Sequence, residues 1–151
     1  AWTSSWTAVP FETQGNALGT DGNRSEPYPG AESEISSATT PTFMIPKTLR
    51  FRSWHADEGG PQDNKRVLVS IDSGATWNAL VDCAAGPNTS VPFCRPQDVP
   101  RGAASWDDIE LDTAAYSDVP GQLRFEYEAL DACCDFEQGW FIDDLGALGC
   151  P

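Results

Sequence analysis

"KRVLVSIDSGATWNALVDC", Lys65 to Cys83, reads as two strands joined by a turn. Val67, Val69 and Ile71 alternate with Arg66, Leu68 and Ser70, the period of a strand with one buried face. "DSGA" supplies the Asp, Ser and Gly that a turn uses, and Thr76 to Val81 returns as the second strand. The same period recurs on both sides of this hairpin. In "KTLRFRSWHA", Leu49, Phe51 and Ser53 face Arg50, Arg52 and Trp54; in "GQLRFEYEAL", Leu123, Phe125 and Tyr127 face Arg124, Glu126 and Glu128. "SWDDIELDTAAY" sets Asp107, Ile109 and Leu111 against Trp106, Asp108 and Glu110. "SWTAVPFE" and "SEISSATTPTFMI", the latter broken at Pro41, add further strands. Apolar residues nowhere recur at helical spacing for three turns. The expected fold is all-β, an antiparallel β-sandwich.

The 151 residues fit one domain over 1–151 with a sizeable core. Hydrophobic residues make up 40% and there are six Trp, which excludes a disordered tail. No apolar run approaches the roughly 20 residues of a membrane span. "AWTSSWTAV" lacks the basic start and apolar core of a leader peptide, so any secretion signal is expected to be absent from this sequence. The net charge of −14 argues against nucleic acid, whose recognition needs basic patches.

Cys83, Cys94, Cys133, Cys134 and Cys150 match no paired zinc-knuckle spacing, and the one histidine is His55. Disulfides in an oxidising compartment are expected instead. Cys83 and Cys94 flank the loop stretch "AAGPNTSVPF", which a bridge would staple. A second bridge should run to Cys150 from Cys133 or Cys134, with Cys134 as the candidate, leaving one thiol for self-association.

"GWFIDDLGALGC", Gly139 to Cys150, places Asp143 and Asp144 inside an apolar closing strand. Strand neighbours point to opposite faces, so one carboxylate is expected to face inward with the apolar set. A buried, uncompensated carboxylate costs several kcal/mol. It needs a cation, an arginine or backbone amides.

The order of "TLRFRSWHADE", "VLVSIDSGATW", "WDDIELDTAAY", "GQLRFEYEAL" and "GWFIDDL" resembles a family of bacterial extracellular jelly-roll modules over roughly residues 40–146. These include accessory domains of immune-inhibitor-A-like secreted metallopeptidases, cleaved-adhesin domains of surface proteases and MAM-like modules. The most specific pieces are "VSIDSGATW" and "GWFIDD"; "PFE" is similar to the usual start of such a module. The insert 83–94 and the loop "DACCDFEQ" depart from the pattern. The resemblance implies a jelly roll, a structural calcium between the first and last strands, and a non-catalytic role in adhesion or substrate binding. It carries metal roles to Glu12, Asp144, Asp143 and Glu58. Calcium accepts six to eight oxygen ligands in forgiving geometry, so carboxylates from distant stretches suit it.

Two acidic loops, "DEGGPQDN" with Asp57, Glu58 and Asp63 and "DACCDFEQ" with Asp131, Asp135 and Glu137, offer further carboxylates that could share a metal site, though the ordinary role of such loops is solvation. Trp54 and Trp106 are the candidate stacking residues for a polysaccharide, whereas Trp77 and Trp140 are read as core. A hydrolytic triad would have to use His55, with no nucleophile elbow in the chain. The expected function is a secreted or surface module, not an enzyme, that binds polysaccharide or an extracellular protein. The alternatives are an assembly subunit and, third, a two-carboxylate glycosidase.

Overall fold

The computed structural model describes residues 3–4, 7–10, 16–19, 34–57, 63–96, 105–129 and 139–146. Eleven strands occur in them: β1 (Thr3–Ser4), β2 (Thr7–Pro10), β3 (Asn16–Gly19), β4 (Glu34–Thr39), β5 (Phe43–Met44) and β6 (Thr48–Ala56), then β7 (Asp63–Ser70), β8 (Asn78–Asp82), β9 (Asp107–Asp112), β10 (Pro120–Ala129) and β11 (Gly139–Asp143). They form two antiparallel sheets. A six-stranded sheet runs β1-β4-β10-β7-β8 with β5 beside β10, and a five-stranded sheet runs β2-β3-β11-β6-β9. The all-β sandwich expected from alternation is the observed fold.

The inward residues follow that alternation. Val67, Val69, Leu123, Phe125 and Tyr127 from one sheet meet Leu49, Phe51, Ile109, Trp140 and Ile142 from the other. Phe125 stands edge-on to Phe51 with ring centres 5.3 Å apart and lies 5.8 Å from Trp140. The indole N–H of Trp140 donates to the Ser53 hydroxyl at 2.8 Å, so the one polar atom of this core ring is satisfied. Trp140 is core, as its place before "FIDD" suggested.

Cys83 and Cys94 form a disulfide with Cα atoms 5.1 Å apart. Closing a loop of this size stabilises by roughly 2–4 kcal/mol. The bridge seats Phe93, fully buried, on Trp140 at 5.0 Å. The stapled segment also covers β8, the last strand of its sheet. The Asn88 side-chain amide donates to the Leu80 carbonyl at 2.6 Å, and the Asp82 N–H donates to the Pro87 carbonyl at 3.1 Å.

Two positions break parity. Between β7 and β8 the register passes from Val67↔Val81 to Leu68↔Ala79, which skips Leu80. Such a bulge turns every later side chain on the strand to the other face. At the chain's end Asp143 pairs with Arg52, yet it is the Gly146 N–H that reaches the Arg50 carbonyl. That is one residue more than a regular ladder needs. The extra residue is Asp144, in the left-handed region at φ 48°.

Candidate functional site

The Leu80 bulge decides where Trp77 lies. Without it, Trp77 would share the inward face of Val81; with it, Trp77 sits half-buried on the outer face of the six-stranded sheet. This corrects its reading as core. The Arg124 guanidinium lies over the Trp77 ring at 4.0 Å, donates to the Thr39 hydroxyl at 3.1 Å and approaches Glu126 at 3.8 Å. Arg66 next to it contacts Glu128 at 2.7 Å, Asp82 at 3.4 Å and Glu126 at 3.7 Å. Each of these pairs is part-exposed and individually worth little; together they hold the side chains of this face in fixed positions.

The turn that presents Trp77 is built from its own sequence. Asp72 accepts from the Thr76 N–H at 2.8 Å, from the Thr76 hydroxyl and from the Ser70 hydroxyl. The Gly74 N–H donates to Ser70 at 2.9 Å. The Thr76 hydroxyl, the Thr76 N–H and then the Ser70 hydroxyl hold the Asp72 carboxyl down to a pKa of about 2. Ser73 and Gly74 take positive φ, 59° and 86°, so the glycine here meets a backbone requirement. Ile71 falls outside the ladder and is 49% exposed, a correction to its reading as the third inward residue of the hairpin. It lines a groove of about 260 Å³ with Thr42, Ser73, Val119, Pro120 and Gln122. Gln122 links groove and platform: its amide nitrogen donates to the Thr40 carbonyl at 3.1 Å, and its oxygen lies beside Gly74, in the turn that presents Trp77.

The outer face of the five-stranded sheet carries the stacking residues expected from sequence. Trp54 is on that face but only 4% exposed, edge-on to Phe141 at 5.5 Å. A ring so covered offers no stacking surface, which corrects its candidacy. Trp106 is half-buried with the Arg52 guanidinium at 5.2 Å over its ring. Beside it runs a second groove of about 350 Å³, lined by Arg50, Arg52, Asp108, Glu110 and Asp144. Its charges are matched: Arg50 to Glu110 at 2.6 Å, Arg52 to Asp108 at 3.6 Å and to Asp144 at 4.0 Å.

Asp144 therefore does not face inward. Its side chain is 69% exposed, Asp143 is half-buried, and Leu145 takes the inward place. The bulge resolves the conflict in "FIDDL" by turning a carboxylate out and a leucine in. The Asp144 N–H donates to the Asp143 carboxylate at 2.8 Å. Among the described residues no three His, Cys, Asp or Glu side chains converge as a metal group. Asp143 and Asp144, with Arg52 beside them, do not by themselves make a calcium shell. Glu12, Glu58, Cys134 and Cys150 lie outside the described residues.

A buried polar cluster occupies the sandwich between the faces. Lys65 and Asp57, both fully buried, pair at 2.6 Å, so Asp57 is not a carboxylate of a solvated metal loop. His55 is 1% exposed; its Nε2 lies 3.0 Å from the Arg95 carbonyl and donates to it, while Nδ1 has no hydrogen-bond partner among the described residues. Burial first, and the charge of Lys65 second, lower the His55 pKa to about 4. The imidazole is neutral near pH 7 and enclosed. It is placed as a core group, not as a general base.

No protein-family model matches the chain, and no curated protein matches it. Solved structures share its fold. The K3 cleaved adhesin domain of Lys-gingipain from Porphyromonas gingivalis W83 aligns at TM-score 0.51 and 17% identity, over 95% of this chain and 88% of that one. CBM28, a carbohydrate-binding module specific for non-crystalline cellulose, aligns at TM-score 0.59 and 11% identity, over 99% of this chain and 88% of that one. At such identities the likeness is one of architecture: this chain has the β-sandwich that these modules use.

Proposed function

We propose that this chain is a secreted, non-catalytic module that binds polysaccharide through the outer face of its six-stranded sheet. The observation that carries the reading is Trp77, set on that face by a bulge, braced by Arg124 and adjoining an open groove. An indole presents a large flat apolar surface at low entropic cost, and ring C–H groups of a pyranose pack on it. Gln122, on the same strand as Arg124, carries a side-chain amide beside Gly74 of the turn that presents Trp77. The neighbours in fold, an adhesin domain and a carbohydrate-binding module, support the same class. The disulfide supports an oxidising, extracellular setting.

Calcium belongs to this proposal as a structural ion, with Asp143 and Asp144 supplying two ligands and Glu12 and Glu58 the others. The assembly alternative rests on the leftover cysteine, and a covalent dimer on a non-reducing gel would favour it.

The test is retention of the purified chain on insoluble polysaccharides, with Trp77→Ala alongside and released sugar measured. Retention that Trp77→Ala removes, without hydrolysis, is the expected result. Reproducible release of sugar by the purified chain would overturn the non-catalytic reading.

A further inference from the structure

We infer that the Trp77 platform and its groove take an uncharged polysaccharide chain and exclude polyanionic ones such as uronate or sulfate polymers. The inference rests on the polysaccharide reading above and narrows it to a ligand class. Among the described residues, no charged side chain lines the groove; Ile71, Val119 and Pro120 offer apolar surface, and Thr42, Ser73 and Gln122 offer neutral polar groups. Ile71 and Val119 are 49% and 37% exposed, so this apolar surface is open to a ligand. Gln122 has its nitrogen committed to the Thr40 carbonyl, which leaves a fixed oxygen to accept from a sugar hydroxyl.

The cations nearest the platform are not free for an anion. Arg124 has Glu126 at 3.8 Å and the Trp77 ring; Arg66 contacts three carboxylates, those of Glu128, Asp82 and Glu126. Displacing them would leave part-buried charges without partners, a cost that anion binding must overcome. The chain's net charge of −14 adds repulsion at every approach. The groove's volume, about 260 Å³, lies below the roughly 300–1,000 Å³ of pockets that enclose a small ligand. A chain lying across it, touching the groove with one part and Trp77 with another, fits that shape.

Affinity electrophoresis tests this with the purified chain in gels of mixed-linkage β-glucan, xylan, galactomannan, alginate and polygalacturonate, at low and high salt. At least one neutral polymer should retard the protein, with little change on adding salt, since no counterions need be released. Trp77→Ala and Gln122→Ala should each weaken that binding about tenfold, or 1.4 kcal/mol. Val119→Asp, at an exposed position where folding is not at risk, should weaken it as well. An anionic polymer bound as tightly as any neutral one, or binding that salt abolishes, would overturn this inference and leave the polysaccharide reading standing. Retardation by no polymer of either kind would instead sink the reading itself. Neutral binding unchanged in all three variants would place the site elsewhere and overturn the inference too.

Discussion

Among the described residues, each sheet shows solvent one tryptophan with an arginine over its ring, yet the surroundings of the two pairs differ. Trp77 with Arg124 adjoins a groove whose described lining is uncharged, whereas Trp106 with Arg52 adjoins one lined by paired arginines and carboxylates. The ion pairs of the second groove are hydrated, and a ligand there must strip that water for little return. The first groove gives up only apolar surface and neutral polar groups, whose burial is favourable or nearly so. The presence of an aromatic ring on a sheet face does not by itself define a binding site. What lies beside the ring decides.

The coarsest test loses both faces together. His55 sits between the sheets with a pKa lowered from 6.5 to about 4, so below pH 6.5 the unfolded chain binds a proton that the folded chain refuses. Stability contributed by neutral His55 is complete above pH 6.5, falls as pH drops toward 4, and levels off below that. At ~1.4 kcal/mol per pKa unit the loss is about 3 kcal/mol. Denaturant melts between pH 7 and 4 should show this slope and His55→Gln should flatten it. Binding at the Trp77 face that fails at a different pH from unfolding would show that the faces are not coupled through this core.

Calcium distinguishes the faces next, because Asp143 ends β11 of the five-stranded sheet and Asp144 follows it. At a hundredfold excess over its dissociation constant the ion should add about 2.7 kcal/mol. The melting temperature of chelator-treated protein should rise with millimolar calcium, and Asp144→Ala should remove the rise. Equal melting temperatures with and without calcium would leave Arg52 to balance these carboxylates.

Trp77→Ala should cost at least about tenfold in polysaccharide affinity, or 1.4 kcal/mol, while Trp106→Ala stays within about twofold. Titration calorimetry on both variants checks this. The reverse order would move the site to the other sheet. The smallest effect is on the arginines. Arg124→Ala and Arg52→Ala should each change stability by less than about 1 kcal/mol, as part-exposed pairs do. Arg124→Ala alone should also weaken binding, through a Trp77 ring that has lost its brace.

Most of the sandwich could be read from period-two alternation. Leu49, Phe51 and Ser53, and Leu123, Phe125 and Tyr127, all point inward as the pattern says, because a strand buried on one face cannot slip by one residue. The misreadings cluster where parity breaks. Nothing local in "WNALVDC" announces that Leu80 will be skipped, so alternation alone puts Trp77 on the wrong face. Nothing local in "FIDDL" announces the extra residue either, so alternation sends one carboxylate inward where the structure sends Leu145. Two adjacent carboxylates in an apolar strand were nonetheless a usable signal, since a bulge is the cheapest way to keep both wet. Trp54 failed differently: its face was right, but its covering depends on Phe141, eighty-odd residues away in the chain.

The staple across Cys83–Cys94 has a bearing on how copies of this protein meet. β8 ends its sheet, and an uncovered terminal strand is a template on which another chain can add. Asn88 and Pro87, held by the bridge, occupy the Leu80 carbonyl and the Asp82 amide that such a template would use. At one edge of the other sheet β9 carries Asp108, Glu110 and Asp112, the first two already paired with Arg52 and Arg50. The β8 border is thus closed by a covalent clasp, and the β9 border by charged side chains that a second copy would have to desolvate. Reductant would open the clasp, so a reduced sample is where filaments or amorphous precipitate should first form.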